Sequence, residues 1–450
     1  MLKHSNAAIS DRKIVRYLEG YTLGRSEGET SRRILHWEVV PEAVFWDTGD
    51  LAGEGNGKGI FFLSNDGLWS LTGKGDDKVA LKRVIQTSPF LATGEEDLLP
   101  ILDFMRDWNG DGKEEILIPM ASEALFYQPT SDGRMELIEK VPVRQASVYN
   151  NNVLFGRKVG SYNFLSVFLY PLIVPTDLNG DKRQDLLVIQ GGKGFRNLRT
   201  REGRLEEAAV PWDLDIRTPE EVIRRRASLA YHVVDLNHDG CADVVVHKVG
   251  AQFQDWSSET AIFLGHPQGP DAKGPVLRLP SRGFLSGVSL EDLDGDGYHD
   301  MALWSVRMGL WPLVQILLRR VINLESDYHY YAGEKLFLKK PEYKRGYEFR
   351  IDTSRPDYFA GLVPNTEGDF NGDGVGDLVA QNGEGQLGIY VGRPRQGFEQ
   401  SASASFPAPS VNYVKIVDLD ADGRDDIYAY QAEKGESFLY IWLNRQGEGY

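Results

Sequence analysis

A single cysteine, Cys241, occurs in a chain of 450 residues. No disulfide can form within the chain, so cysteine usage does not mark a compartment. Basic residues are also scarce: 50 Lys and Arg stand against 66 Asp and Glu, for a net charge of −16. Nucleic-acid binding needs a basic footprint, and this balance argues against it. No apolar run is long enough to span a bilayer, so no transmembrane segment is expected. The opening Met1-Leu-Lys-His-Ser-Asn lacks the apolar core of a secretion signal. Two catalytic signatures are missing: a His-Glu-x-x-His zinc helix and a Gly-x-x-x-x-Gly-Lys phosphate loop. The eight histidines are scattered without metal spacing, and no catalytic residues are assigned.

What the chain does have is acid at a fixed spacing. Asp292-Leu-Asp294-Gly-Asp296-Gly-Tyr298-His-Asp300 places oxygen-bearing side chains at its first, third, fifth and ninth positions, with Gly at the sixth. Alternation aims those oxygens at one point, and the Gly permits a tight left-handed bend. Hard oxygen donors in a flexible wrap suit Ca²⁺, whereas the thiolates and imidazoles that suit Zn²⁺ are missing from it. The seventh position, Tyr298, offers its backbone carbonyl.

Five more copies follow the same plan. The first is Asp107, Asn109, Asp111, Lys113 and Glu115, and the second is Asp177, Asn179, Asp181, Arg183 and Asp185. The third is Asp235, Asn237, Asp239, Cys241 and Asp243; the loop quoted above is the fourth. The fifth is Asp369, Asn371, Asp373, Val375 and Asp377, and the sixth is Asp418, Asp420, Asp422, Arg424 and Asp426. In each, the seventh-position residue contributes only its carbonyl. In the second loop Lys182 replaces the sixth-position Gly. A worn seventh copy begins at Asp50, where Ala52 and Lys58 hold ligand positions; it is expected to keep the turn and lose the ion.

From Asp50 the intervals between first positions are 57, 70, 58, 57, 77 and 49 residues. A repeat of this length in a chain of this size is the primary architectural signal. Short apolar segments rich in β-branched and aromatic residues flank each loop, and they read as strands joined through it. Each interval leaves room for two further strands. Seven four-stranded units, none able to bury its faces alone, predict an all-β, seven-bladed β-propeller. Residues 1–30 read as a polar N-terminal arm and 31–450 as the propeller, with an N-terminal strand completing the last blade so that no sheet edge is left open. The hairpin Gly59–Leu63/Gly67–Leu71 turns at Asn65-Asp66-Gly67. Thr218-Pro219-Glu220-Glu221 opens a short helix: Thr caps, Pro suits the first turn and the acids suit its positive end.

The longest interval breaks the pattern. Leu310, Leu313, Val314, Leu317, Leu318, Val321 and Leu324 fall at helical spacing, which predicts an amphipathic helix over 310–325 within an insertion at 305–350, between the blades of the fourth and fifth loops. That stripe is either buried across the ring or a docking face for another protein or a membrane surface. A second unusual stretch, Tyr149–Tyr170, is rich in aromatics and reads as blade packing or as an exposed glycan- or peptide-binding face.

The loop followed by a strand resembles the FG-GAP/VCBS repeat of integrin-α-like propellers and many secreted bacterial proteins, over roughly residues 45–450. The Gly-Ala-Pro that closes the integrin type is missing: Ile118-Pro119-Met120 and Gln190-Gly191-Gly192 stand in its place. Phe155-Gly156 is not regularly repeated. The resemblance is therefore closer to the bacterial VCBS type. It implies a non-enzymatic, calcium-stabilised propeller, with about six Ca²⁺, serving as a binding or scaffold module in an extracytoplasmic assembly. The expected home is the periplasm, the cell surface or outside the cell. Six ions would carry the net charge from −16 to about −4. The alternative is a carbohydrate-binding or polysaccharide-lyase propeller using Tyr328, His329, Tyr330 and Lys335.

Overall fold

A computed structural model of the chain describes residues 2–10, 13–22, 32–39, 43–51, 59–72, 80–91, 102–130, 133–143, 146–149, 153–154, 157–158, 166–224, 227–250, 257–269, 274–307, 321–335, 337, 339–352, 365–381, 386–394, 397–408, 413–419, 422–433 and 436–444. The chain divides into two compact units, Met1–Asp213 and Leu214–Tyr450.

Almost all of the regular structure is antiparallel sheet, and the strands of each main sheet follow one another in chain order. In the first unit, sheet one contains Ala43–Gly49, Gly59–Ser64, Gly67–Thr72 and Ala80–Gln86. Sheet two contains Met105–Arg106, Glu115–Pro119, Glu123–Pro129 and Met135–Pro142. Sheet three contains Leu172–Thr176, Asp185–Gln190, Lys193–Asn197 and Val210–Asp213. In the second unit, sheet four contains Ala227–Val234, Asp243–Gly250, Ser257–Phe263 and Leu277–Arg282, and sheet five contains Phe284–Glu291, Asp300–Arg307, Val321–Tyr331 and Tyr343–Asp352. Sheet six contains Asn365–Gly368, Asp377–Gln381, Gln386–Tyr390 and Ala404–Pro407. Sheet seven contains Tyr413–Val417, Asp426–Glu433 and Glu436–Trp442. Each acidic loop, and the worn copy at Asp50, joins the first strand of its sheet to the second. The expected hairpin at Asn65-Asp66 is present, with Ser64 paired to Gly67.

The second strands carry the core. Glu115–Pro119 is buried throughout, and so are the first five residues of Asp185–Gln190. Continuous Leu, Ile and Val runs are what a strand needs when both faces are covered. Within the first unit, Leu63 and Leu68 of sheet one, Ile116 and Ile118 of sheet two, and Leu186 and Val188 of sheet three share one apolar cluster. In the second unit, Val245 packs with Leu303, Trp304 with Leu378, and Val379 with Ile427. Successive sheets within a unit thus face each other and bury what neither buries alone.

Three expectations meet a different structure. The N-terminal arm is a sheet of its own: Leu2–Ser10 pairs with Lys13–Thr22, which pairs with Arg32–Glu38. Local pairing closes a far shorter loop than a partner at the other end of the chain would, and loop-closure entropy favours it. The expected helix over 310–325 is the second difference. Residues 310–320 lie outside the described residues, but from Val321 the chain is strand, in register with Asp352 through Tyr343 and, from Glu325, with Arg307. A ladder of backbone hydrogen bonds to Phe349–Asp352 overrides a helical spacing of apolar residues over Val321–Leu324. Third, in the aromatic stretch, Ala146–Tyr149 pairs with Ser166–Leu169 as a separate two-stranded sheet, while Phe155, Tyr162 and Phe164 lie outside the described residues.

The short helix is Pro219–Arg224. The Thr218 N–H donates to Glu221 Oε2 (2.7 Å), and the Glu221 N–H donates to Thr218 Oγ1 (3.3 Å). This reciprocal pair satisfies two otherwise unpaired end groups. Lys248 docks the helix to sheet four, with Nζ 3.3 Å from Glu221 and 3.1 Å from Glu259. Thr218→Ala should lower the unfolding free energy by about 1 kcal/mol, read by urea denaturation of the full chain.

Candidate functional site: the acidic loops

The loops hold their shape through a repeated set of backbone-to-carboxylate hydrogen bonds. The first-position Asp accepts the sixth-position N–H: Gly112 to Asp107 (2.9 Å), Gly240 to Asp235 (2.9 Å), Gly297 to Asp292 (2.8 Å), Gly374 to Asp369 (2.7 Å) and Gly423 to Asp418 (3.0 Å). The fifth-position carboxylate accepts the seventh N–H, as from Lys113 to Asp111 (2.9 Å) and from Arg424 to Asp422 (3.0 Å). The same bond joins Cys241 to Asp239, Tyr298 to Asp296 and Val375 to Asp373. Asp420 lies outside the described residues, as do residues 52–58 of the worn copy.

Two bends are left-handed, not one. The sixth position has φ between +66° and +88° in every loop, and the fourth has φ of +80° at Gly110, +76° at Gly295 and +72° at Gly372. His238 takes φ +56° at the fourth position, and its ring stacks on that of Tyr298 in the next loop, at 4.5 Å and 8°. Lys182 keeps the sixth-position bend at φ +66° and still donates its N–H to Asp177 (2.6 Å). An L-residue there is strained by roughly 1–2 kcal/mol. Lys182→Gly should therefore stabilise the chain by about 1 kcal/mol, and Gly112→Ala should destabilise it by a similar amount, since open space around Gly112 leaves backbone strain as the difference. Chemical denaturation of both variants checks the opposite signs.

The ninth position does more than the sequence reading assigned to it. Glu115, Asp185, Asp243, Asp300 and Asp377 are fully buried at 0% exposure. One oxygen accepts the second-position N–H: Trp108, Leu178, Leu236, Leu293 and Phe370, all at 2.8–3.0 Å. In four loops the other oxygen accepts an N–H from beyond the third strand: Arg199 (2.6 Å), Gly265 (2.8 Å), Gly333 (2.8 Å) and Gly392 (2.7 Å). Asp426 does the same with Asn444 (2.7 Å). The carboxylate thus ties its loop to the far end of its own sheet. Glycine is required at Gly265 and Gly333 because a Cβ would sit 2.3 Å from the Ala242 carbonyl oxygen and 2.1 Å from that of His299. The signal available in the sequence was an apolar residue followed by Gly after the third strand, at Leu264-Gly265, Ala332-Gly333 and Val391-Gly392.

Burial raises these carboxyls against the pull of their hydrogen bonds, and the loop's other carboxylates add to the effect. Glu115 is pushed up to about 7, and Asp185, Asp243, Asp300 and Asp377 to about 6.

The loops differ in how well they fit an ion. Asp107, Asp111 and Glu115 each bring an oxygen within 4.8 Å of the others, and so do Asp292, Asp294 and Asp300. Glu115 Oε1 is buried without a hydrogen-bond partner, as is Asp235 Oδ1. An oxygen-only donor set with an orphaned buried carboxylate oxygen fits a hard cation such as Ca²⁺. In the second, third and fifth loops the Asn amide donates to the fifth-position Asp, from Asn179 (2.9 Å), Asn237 (3.0 Å) and Asn371 (2.9 Å).

The tyrosines considered for a polysaccharide-cleaving site do not form an open platform. Tyr328 and Tyr330 are 1% and 3% exposed and pack with Trp304, Leu378 and Phe398. Among the described residues, no helix is long and apolar enough to cross a membrane.

The family model for the FG-GAP-like repeat matches residues 369–429, from the start of the fifth loop to just past the sixth. The chain carries an FG-GAP-like repeat. The repeat unit is the loop, the strands on either side of it and the buried ninth-position acid. Among curated relatives, integrin alpha-PS3 of Drosophila melanogaster is 28% identical over 175 residues, covering 36% of this chain and 15% of the integrin. The matched region therefore spans a small part of that relative's length. Among solved structures, an Agrocybe aegerita lectin described as recognising non-reducing terminal N-acetylglucosamine aligns at 11% identity and TM-score 0.44, covering 88% of this chain and 85% of the lectin. The Dos1 propeller aligns at 9% identity and TM-score 0.34, covering 89% and 95%.

Proposed function

We propose that this FG-GAP protein is a seven-bladed, calcium-stabilised β-propeller that serves as a binding or scaffold module in an extracytoplasmic assembly. Seven loops at the same place in seven successive sheets support the blade count. The absent Gly-Ala-Pro supports the bacterial VCBS side of the family over an integrin-like adhesion role.

The observation that carries the calcium reading is the first loop. Three carboxylates converge there, and Glu115 Oε1 is buried with no donor from the protein. Asp107, Asp111 and Glu115 would hold the ion in that loop, and Asp292, Asp294 and Asp300 in the fourth. When bound, Ca²⁺ supplies the positive charge that these acids otherwise lack. The chain's own residues do the rest: the first-position Asp folds the backbone, and the ninth ties the loop to its sheet. The role is structural, and binding is coupled to folding. Extracellular modules bind calcium at about 10⁻⁴–10⁻³ M, a level that the cytosol does not reach, which supports an extracytoplasmic home.

Equilibrium dialysis of the full chain against radioactive calcium tests the reading. Several ions should bind, and Asp107→Asn and Asp292→Asn should each bind one fewer. A chain that binds none at 10 mM calcium, about ten times the weaker end of that range, would be incompatible with it.

A further inference from the structure

The second loop stands apart from the other five in its cations. It holds three carboxylates, Asp177, Asp181 and Asp185, but also Lys182 and Arg183, which leaves one net negative charge. The fourth loop holds four carboxylates and no Lys or Arg. We infer that the second loop binds no calcium because the Arg183 guanidinium takes the ion's place; this rests on the calcium reading above.

The geometry is specific. Arg183 folds back over its own loop, with one terminal nitrogen paired to Asp181 Oδ2. Its Nε donates to the Arg199 carbonyl (2.9 Å), so the guanidinium is held from both sides. Asp181 has no oxygen to spare: Oδ2 also accepts the Asn179 amide (2.9 Å), and Oδ1 accepts the Arg183 N–H (2.9 Å). Asp177 accepts Asn179 and Gly180 N–H groups on one oxygen and Lys182 on the other. Asp185 accepts Leu178 on one and Arg199 on the other. Every carboxylate oxygen in this loop has a donor from the protein, as in the fifth loop, whereas the first loop leaves Glu115 Oε1 and the third leaves Asp235 Oδ1 with none; what the second loop adds is a guanidinium among those donors. A divalent ion entering the second loop would also lie beside a fixed guanidinium, and like charges at such range repel strongly.

Arginine in the seventh position is not enough by itself. Arg424 occupies that place in the sixth loop, where its side chain packs against Gly372 of the fifth. The difference is the anchor at Arg199, itself buried at 5% exposure and bonded to Glu139 (3.1 Å). That anchor aims Arg183 inward.

Calcium-binding stoichiometry of the full chain decides the matter, with radioactive calcium as the only ligand. Asp181→Asn should bind the same number of ions as the unaltered chain, and Arg183→Gln should bind one more. Asp292→Asn serves as the comparison and should bind one fewer. Loss of an ion in Asp181→Asn, or no gain in Arg183→Gln, overturns the inference while calcium elsewhere remains. A chain with no calcium at all, in any variant, overturns the calcium reading and this inference with it.

Discussion

Chelating the metal should lower the midpoint of thermal unfolding by about 10 °C or more. A site occupied at 100 times its dissociation constant stabilises the fold by about 2.7 kcal/mol, and several such sites act together. In a chain of 450 residues each kcal/mol moves the midpoint by about 1 °C, so about four such sites suffice for that shift. The loss should nevertheless be partial at 25 °C. Each loop is also held by N–H groups on its first and ninth carboxylates, such as Gly297 on Asp292 and Leu293 on Asp300, and these bonds need no ion. The strand signal in circular dichroism should survive chelation at room temperature while the melting curve moves down. Returning calcium should restore the midpoint. Magnesium should do so poorly, because it demands a tighter octahedral shell than a loop of nine residues provides. An unchanged midpoint in chelator would remove the stabilising role of the ion and leave the carboxylates as backbone clips alone.

The distinction between ligand and clip shows where sequence reading stopped. Spacing alone located all six loops, the strands on either side and the capped helix at Thr218, because alternation, turn residues and caps are local physics. It also placed the fourth loop's Asp292, Asp294 and Asp300 together, and they are together. It assigned the ninth position a single role, as a ligand. Its second role depends on Gly265, Gly333 and Gly392, residues separated from their acids by a whole hairpin, and such contacts have no fixed period to read. The stretch at Val321–Leu324 failed for the opposite reason. Its local spacing is helical, and pairing with Phe349–Asp352 of the next strand decides otherwise. In the second loop the contact that spacing could not show is of the same kind: the Arg183 side chain donates to the Arg199 carbonyl, a hairpin away.

The ion-free chain should lose stability as pH rises from about 5 to 8, and calcium should cancel that loss. The ninth-position carboxyls titrate near 4 in an unfolded chain. In the fold, burial raises four of them to about 6 and Glu115 to about 7. The folded chain therefore keeps protons that the unfolded chain releases. That stabilisation is complete below about pH 4 and is lost as pH rises through 6 to 7. A shift of two units in one carboxyl corresponds to about 3 kcal/mol. The groups share their loops with other acids, so the whole effect is smaller than five such terms added. His247 opposes it at the acid end. Its imidazole, 2% exposed on sheet four, is held neutral by burial and by His232 beside it, and is pushed down to about 3. Below about pH 6.5 the unfolded chain gains a proton there that the fold refuses, so this contribution is lost as pH falls toward 3. Five carboxyls outweigh one imidazole, so these groups together put the optimum of the ion-free chain near pH 4. Calcium should reverse the alkaline limb, because a bound ion displaces the proton and its affinity rises as the carboxyls ionise. Urea denaturation at pH 5, 6.5 and 8, with calcium and with chelator, should show the two stabilities close together at pH 5 and several kcal/mol apart at pH 8. A chelated chain that is as stable at pH 8 as at pH 5 would mean that the buried acids are already ionised in the fold, held by their N–H donors without a proton or an ion.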